Sequence, residues 1–420
     1  MALSFSATAA THTVCAVDCD FTAIQTAHDT AQNGDVIDVQ GTLTESNILL
    51  SKRLTITSSL ASPPIVQAHP EPNLGSNRVF YLFPNAEISM ENLIIRHGHS
   101  DSQNGGGIFN NGKLTLKNLS LQANSAASGG AVVQRNAVAS LNVIGVTFSG
   151  NTALAYGGGI YVDAGSVTVR DSTFANNAAW VGGGFYNADL AASGRELVMV
   201  NSTFSKNTAP NGGGGLFNDG ASVQLLSSTF SGNSLRAIQN NGGLFSVRSS
   251  ILANSETAGG AADVDCAVFN GAGISDQGNN LVESPGSCTF SHSGPRDQSQ
   301  LNVDPRLVVL ADNGGYGWTH ALLAGSPAID RGDSGESVDQ NGMIRPQFAS
   351  DDVGAVERED ASVPWTSDDT FGDSLTPAGY WGGWIGETRT ISFAPFVSNR
   401  LESVITDSGV YELFSLSLIH

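Results

Sequence analysis

Arg135, Arg170 and Arg195 bring a base to a stretch of chain rich in hydroxyls and amides. β-Elimination on a uronate uses a Lys or Arg base beside carboxylates that hold calcium, because the metal acidifies the proton next to the sugar's carboxyl group. The acids that would accompany these arginines, Asp163, Asp171, Asp189 and Asp219, are scattered singly. No two of them pair up as glycosidic hydrolysis requires.

Metal chemistry has equally thin support. His97-Gly98-His99 with Asp101 offers ligands on a glycine-rich turn, and a solvated corner accounts for them as well. Asp339-Gln340-Asn341-Gly342 reproduces half of a calcium loop without the remaining carboxylates. No metal site is expected, and no cofactor; calcium is the ion that the Asp339–Gly342 grouping would suit. Glycine triplets such as Gly182-Gly183-Gly184 are not followed by the Lys-Ser/Thr of a phosphate cradle and read as corners. Arg331-Gly332-Asp333 is a chance tripeptide.

The elements that carry these residues follow from one repeated phrase. Two alternating apolar residues are followed five places later by a large apolar residue, and three places after that by Asn. Val167/Val169 with Phe174 and Asn177, Leu197/Met199 with Phe204 and Asn207, and Val223/Leu225 with Phe230 and Asn233 are the clearest copies. Leu141/Val143 with Phe148 and Asn151, and Leu114/Leu116 with Leu121 and Asn124, keep the spacing; Val247, Ile251 and Asn254 form a sixth copy one residue short. Ile88, Met90 and Ile95 make an earlier one, with Gly98 in the Asn slot. The Asn residues lie 27, 26, 30, 26 and 21 apart, the length of one solenoid coil.

Residues i and i+2 of a strand share a face, so the odd five-residue step demands a bend at the polar triplet Asp171-Ser172-Thr173 and its equivalents. The expected fold is all-β: a right-handed parallel β-helix. Stacked coils would place Phe148, Phe174, Phe204 and Phe230 in one internal column. Asn124, Asn151, Asn177, Asn207, Asn233 and Asn254 would form an amide ladder at a corner. Ile24, Ala27 and Ala31 predict a short capping helix, N-capped by Thr22 and stopped at Asn33-Gly34. Tyr161 follows inward Ile160 and Tyr186 follows inward Phe185, so alternation turns both outward, beside Trp180 and Tyr156. Exposed rings one coil apart suit the apolar faces of sugars, making Tyr161, Trp180 and Tyr186 the candidate glycan contacts.

Composition sets bounds. The net charge of -20 repels phosphate backbones and excludes nucleic acid as a partner. No apolar run reaches the roughly 18 residues of a membrane helix. Two local cysteine pairs, Cys15/Cys19 and Cys266/Cys288, read as structural disulfides of an exported protein. Residues 1–20 read as a flexible lead or the remnant of a secretion signal. The sequons Asn118-Leu119-Ser120 and Asn201-Ser202-Thr203 read as repeat polars.

The Gly-Gly-Ile and Phe-x-x-Asn phrases resemble the repeats of chlamydial polymorphic outer-membrane proteins. Leu301-Asn-Val-Asp-Pro305, Leu310-Ala-Asp-Asn-Gly-Gly315, Thr319-His-Ala-Leu-Leu323, Gly325-Ser-Pro-Ala-Ile-Asp330, Asp339-Gln340, Arg345-Pro346 and Asp352-Val-Gly-Ala-Val-Glu357 resemble the choice-of-anchor Q domain of exported bacterial β-helix proteins. The repeats also resemble, less sharply, the pectin-lyase-like superfamily. That resemblance implies a β-helix over 21–300 and a C-terminal segment over 301–358 that closes it, with an ion pair at the Asp-Gln and Arg-Pro motifs. The remaining 359–420, with alternating residues from Val404 to Leu418, predict a small β-module.

The expected protein is therefore an extracellular or cell-surface monomer, non-catalytic, presenting a rigid surface for adhesion or to a polysaccharide or cell-surface glycan. The alternative is a lyase or hydrolase of acidic polysaccharides using Arg135, Arg170 or Arg195; a purely structural spacer is the third reading.

Overall fold

The computed structural model describes residues 9–100, 102–188, 196–257, 259–290, 297–315 and 317–358, together with two short antiparallel strands, Val404–Ile405 and Tyr411–Glu412. Two compact units divide the chain, Met1–Pro364 and Trp365–His420; apart from its two strands, the expected module at 359–420 lies outside the described residues. The first unit is a parallel β-solenoid of about ten turns. Its three long sheets hold 11, 11 and 9 strands, and each strand pairs with its equivalent one coil away.

One repeat shows why the sequence winds this way. In the first sheet, Ser166–Arg170 points Val167 and Val169 inward. Asp171 then takes a left-handed backbone, φ 54°, and the same corner is left-handed at Asn118, Gly145, Asn201, Ser227 and Ser249. This is the bend that the five-residue step demands, and it returns Phe174 to the core from the second-sheet strand Thr173–Ala175. The column of rings forms as expected: Phe148, Phe174, Phe204 and Phe230 stack at 4.5, 4.4 and 4.4 Å, and all four are fully buried. The glycine cluster then leads into the third sheet. At Gly184 a Cβ would stand 2.7 Å from the Gly215 carbonyl oxygen and 3.0 Å from the Phe204 ring, so only glycine lets consecutive coils touch there.

The asparagine ladder runs from Asn124 to Asn233 in one direction. Each Oδ1 accepts both the backbone N–H and the Nδ2 of the preceding Asn, at 2.9 to 3.1 Å. Gly98, in the degenerate copy, donates its N–H to Asn124. Asn254 is not a rung. Its coil is in fact full length, because Phe245 and Val247 pair with Val223 and Leu225, and Leu252 pairs with Phe230. That register puts Ser255 in the Asn slot and leaves Asn254 exposed at φ 55°.

The capping helix is Ile24–Thr30, packed against Thr11–Val14, Val36–Val39 and Ile48–Leu50 in the first coils. Thr22 does not cap it. The Glu45 carboxylate takes the Ile24 and Gln25 N–H groups at 2.7 and 2.9 Å, and Lys52 Nζ donates to the carbonyls of His28, Asp29 and Ala31 at the other end. A distant acid and base thus occupy the two poles of the helix dipole. The lead is also more ordered than expected: Thr11–Val14 pairs with Val36–Val39 as the first strand of the first sheet. Both expected disulfides are present, Cys15–Cys19 and Cys266–Cys288. Among the described residues no helix is long and apolar enough to cross a membrane.

Residues 301–357, expected to close the end of the solenoid, instead run back along its flank as a strap over the second sheet. Thr173 Oγ1 donates to the Trp318 carbonyl, Thr203 Oγ1 to Gln340 Oε1, and the Ala355 N–H to Thr229 Oγ1. Leu322, Ala328 and Val353 pack on Ile251, Ala253 and Leu281. Thr173, Thr203 and Thr229, outward on this sheet, are small hydroxyl residues on which a second layer of chain docks.

Candidate functional site

The outward side chains of the third sheet form a column in strict register: Leu49, Tyr81, Phe109, Val133, Tyr161, Tyr186, Phe217 and Gln239. Tyr161 and Tyr186 share this face, as alternation requires, but each is only 7 % exposed. A small fourth sheet, His99–Ser100, Ser125–Ser128 and Thr152–Tyr156, arises between the asparagine corner and the glycines. Its last strand brings the Tyr156 ring to 4.7 Å from Tyr186 and 5.8 Å from Tyr161, and Val181 joins the same cluster. Tyr186 also donates its hydroxyl to Asp219 at 2.9 Å; burial and that carboxylate push its phenol pKa up. These two tyrosines are packing residues of a satellite core.

The surface above them belongs to Trp180, Tyr156 and Leu154, which are 55 %, 40 % and 69 % exposed. They lie on adjacent coils held together by the backbone, Ala153 N–H to Ala178 O at 2.8 Å and Val181 N–H to Ala155 O at 3.0 Å. An indole and a phenol fixed on paired backbones give a rigid apolar ledge with polar tips, the kind of surface on which a sugar ring stacks.

Arg135 and Arg170 are not assembled into one site. Arg135, after the third-sheet strand Val132–Gln134, pairs through Nε with Asp163 at 2.9 Å. Arg170, at the end of a first-sheet strand, pairs with Glu336 of the strap at 2.6 Å, and that bond holds its pKa above the ordinary arginine value. It clamps the strap and is not poised to accept a proton. Arg195 lies outside the described residues. Asp171, next to Arg170, has its carboxyl pushed up to about 6 by burial.

Other sequence candidates resolve into structure. His97 Nδ1 meets the His69 carbonyl and His99 Nδ1 meets Ser125 Oγ, and no group of three or more His, Cys, Asp or Glu among the described residues is arranged to hold a metal ion. Asp339 accepts the backbone N–H groups of Asn341, Met343 and Glu357, while the ion pair of that region is Arg345–Glu357, 3.1 Å apart and buried at both ends. Asp333 pairs with Arg248 at 2.8 Å. His320 bridges the Val308 carbonyl and Ser205 Oγ, but Ser205 is fully buried, so this histidine and serine serve the strap and have no route to substrate. Asn201 is fully buried too, which closes that sequon.

Two polar ladders escaped the sequence reading. Asn187, Asn218 and Asn240 join amide to amide at 2.9 Å toward the ends of their third-sheet strands, and Asn110 joins Gln134 in the same way. Ser172, Ser202, Ser228 and Ser250 each accept a backbone N–H from the preceding coil. The signal for the first was present: an Asn two places after the residue that closes the glycine cluster, as in Phe185-Tyr186-Asn187 and Leu216-Phe217-Asn218.

No curated protein matches this chain. Two stretches, residues 145–163 and 201–219, each running from the left-handed corner through the buried Phe and Asn to the third sheet, match the Chlamydia polymorphic membrane protein repeat, so the coil itself is similar to that of a bacterial surface β-helix.

Proposed function

We propose that this protein is a non-catalytic β-helix displayed on a cell surface, where the ledge of Trp180, Tyr156 and Leu154 binds glycan. The single observation that carries the reading is the 55 % exposure of Trp180 beside Tyr156, on a solenoid whose inward column of Phe148, Phe174, Phe204 and Phe230 is fully buried. Large exposed rings on a rigid scaffold lose little entropy on binding. Surface display is supported by the repeat match, two disulfides and a low content of charged residues, 14 %. The likeness of 301–357 to the choice-of-anchor Q domain, and of the repeats to pectin-lyase-like proteins, belongs to the same proposal.

Glycan-array binding by the full chain, compared with Trp180→Ala and Tyr156→Ala, tests the ledge. Trp180→Ala should melt like the parent, whereas Tyr156→Ala, which uncovers Tyr161 and Tyr186, should melt somewhat lower; both should lose most of the array signal. Unchanged binding in Trp180→Ala, or no glycan bound by the parent, would overturn the ledge; loss of the protein from protease-shaved intact cells is the result expected of surface display, and full protection would overturn it.

A further inference from the structure

Arg78 stands apart from the other arginines described. It is 6 % exposed, its guanidinium lies over two rings, 4.8 Å from the Phe109 centroid and 5.5 Å from that of Tyr81, and burial pushes its pKa down. No carboxylate of the described residues pairs with it; Nη2 donates to the neutral amide oxygen of Gln103. A buried guanidinium is normally matched by an anion, because an uncompensated charge out of water is costly. Gln103 has an exposed side chain on a backbone fixed by the Ala127 N–H at 2.9 Å, so its amide can swing off the guanidinium without disturbing the coil. Phe83, 39 % exposed and edge-on to Tyr81 at 5.0 Å, extends the rings to solvent.

We propose that Arg78 receives one anionic group, a carboxylate or sulfate borne on a sugar, in place of the Gln103 amide, with the Tyr81, Phe83 and Phe109 rings beneath the sugar. Planar, two-pronged donation is the guanidinium's particular match to such groups. The net charge of -20 repels a polyanion over its whole length, which favours a neutral glycan carrying a single acidic residue. This deepens the glycan reading above and rests on it. Tyr81 and Tyr186 are four strands apart in one column, about 19 Å at the strand spacing, a span that a short oligosaccharide reaches.

The test is an array of lactose and N-acetyllactosamine glycans, each printed in neutral, sialylated and sulfated forms, probed with the full chain, Gln103→Glu, Arg78→Lys and Trp180→Ala. The parent should prefer an acidic form over its neutral counterpart by about ten-fold, a step of about 1.4 kcal/mol, and the sialylated and sulfated arms identify which acid. Gln103→Glu places a carboxylate on the guanidinium from within; it should melt no lower than the parent and lose the preference while keeping neutral binding. Arg78→Lys should weaken the preference. Equal binding of acidic and neutral forms, no binding at all, or a preference that survives Gln103→Glu would overturn the proposal. Charge preference retained with Trp180→Ala inert would sink the ledge alone, and ledge-dependent binding without charge preference would sink the Arg78 site alone.

Discussion

Asn177 donates twice to the same oxygen, Oδ1 of Asn207, from its backbone N–H at 3.1 Å and from its own Nδ2 at 2.9 Å. Asn207 in turn gives its Nδ2 to the Phe174 carbonyl at 2.9 Å. The same Nδ2 donates to Asn233 Oδ1 at 2.9 Å on the other side, so one side chain satisfies four buried groups of the two neighbouring coils.

Asn207→Leu should therefore destabilise the protein by about 3 kcal/mol or more, given about 1–3 kcal/mol for each buried group left without a partner. Chemical denaturation gives the total. Hydrogen exchange should show lost protection at the Asn177 amide, and native-like protection there would rule the ladder out as a source of stability.

Phe204 lies between Phe174 and Phe230, 4.4 Å from each ring. Phe204→Ala opens a cavity that neighbours locked in a stacked column cannot fill, so a loss of about 3–5 kcal/mol is expected. A melting temperature equal to that of the parent would contradict the column.

Asp171 carries a pH dependence whose sign is fixed by its burial. Its folded carboxyl, pushed up to about 6 from 3.8, holds a proton more tightly than in the unfolded chain. Above about pH 6 the fold bears a poorly solvated charge, opposed by Arg170 but faced by Glu336 and Asp339; as pH falls toward the ordinary value, that penalty disappears. Asp171→Asn keeps a residue type suited to φ 54° and should raise stability at pH 8 by about 1–2 kcal/mol, after discounting for partial exposure. The two proteins should converge near pH 4, and a difference independent of pH would exclude titration of Asp171 as the cause.

The strap offers a contrast between two ion pairs. Arg345–Glu357 is buried at both ends, whereas the side chains of Arg170 and Glu336 are 42 % and 24 % exposed. Arg345→Met should cost about 3–5 kcal/mol by stranding a buried carboxylate, and limited proteolysis should then cut within 301–357. Arg170→Met should cost no more than about 1 kcal/mol. Equal sensitivity of the two variants to protease would show that burial does not set the worth of these pairs.

The solenoid was legible because its inward residues repeat at fixed spacing, and an odd step between Val169 and Phe174 has one physical solution, a bend at Asp171. What faces outward was harder to read. Alternation tells that Tyr161 and Tyr186 leave the main core, yet their burial depends on Thr152–Tyr156, a strand that belongs to another sheet. The same holds for Thr173, Thr203 and Thr229, whose hydroxyls look like solvated repeat polars until the strap is laid over them. Ser255 was missed because a register counted from Ile251 slips by one residue, and Asn254 happened to stand beside it. Arg78 carries no periodic signature at all; that no carboxylate of the described residues pairs with it is visible only in three dimensions.

The single direction of the Asn124 to Asn233 column gives the polypeptide a sense of growth. From Asn124 to Asn207 every rung gives its backbone hydrogen and an amide hydrogen forward, to an oxygen that is translated 26 to 30 residues later, so during synthesis the newest coil is always the one whose forward donors still face water. Such a chain is zipped from its beginning, and its unfinished tip is where a premature stop would leave an adhesive end.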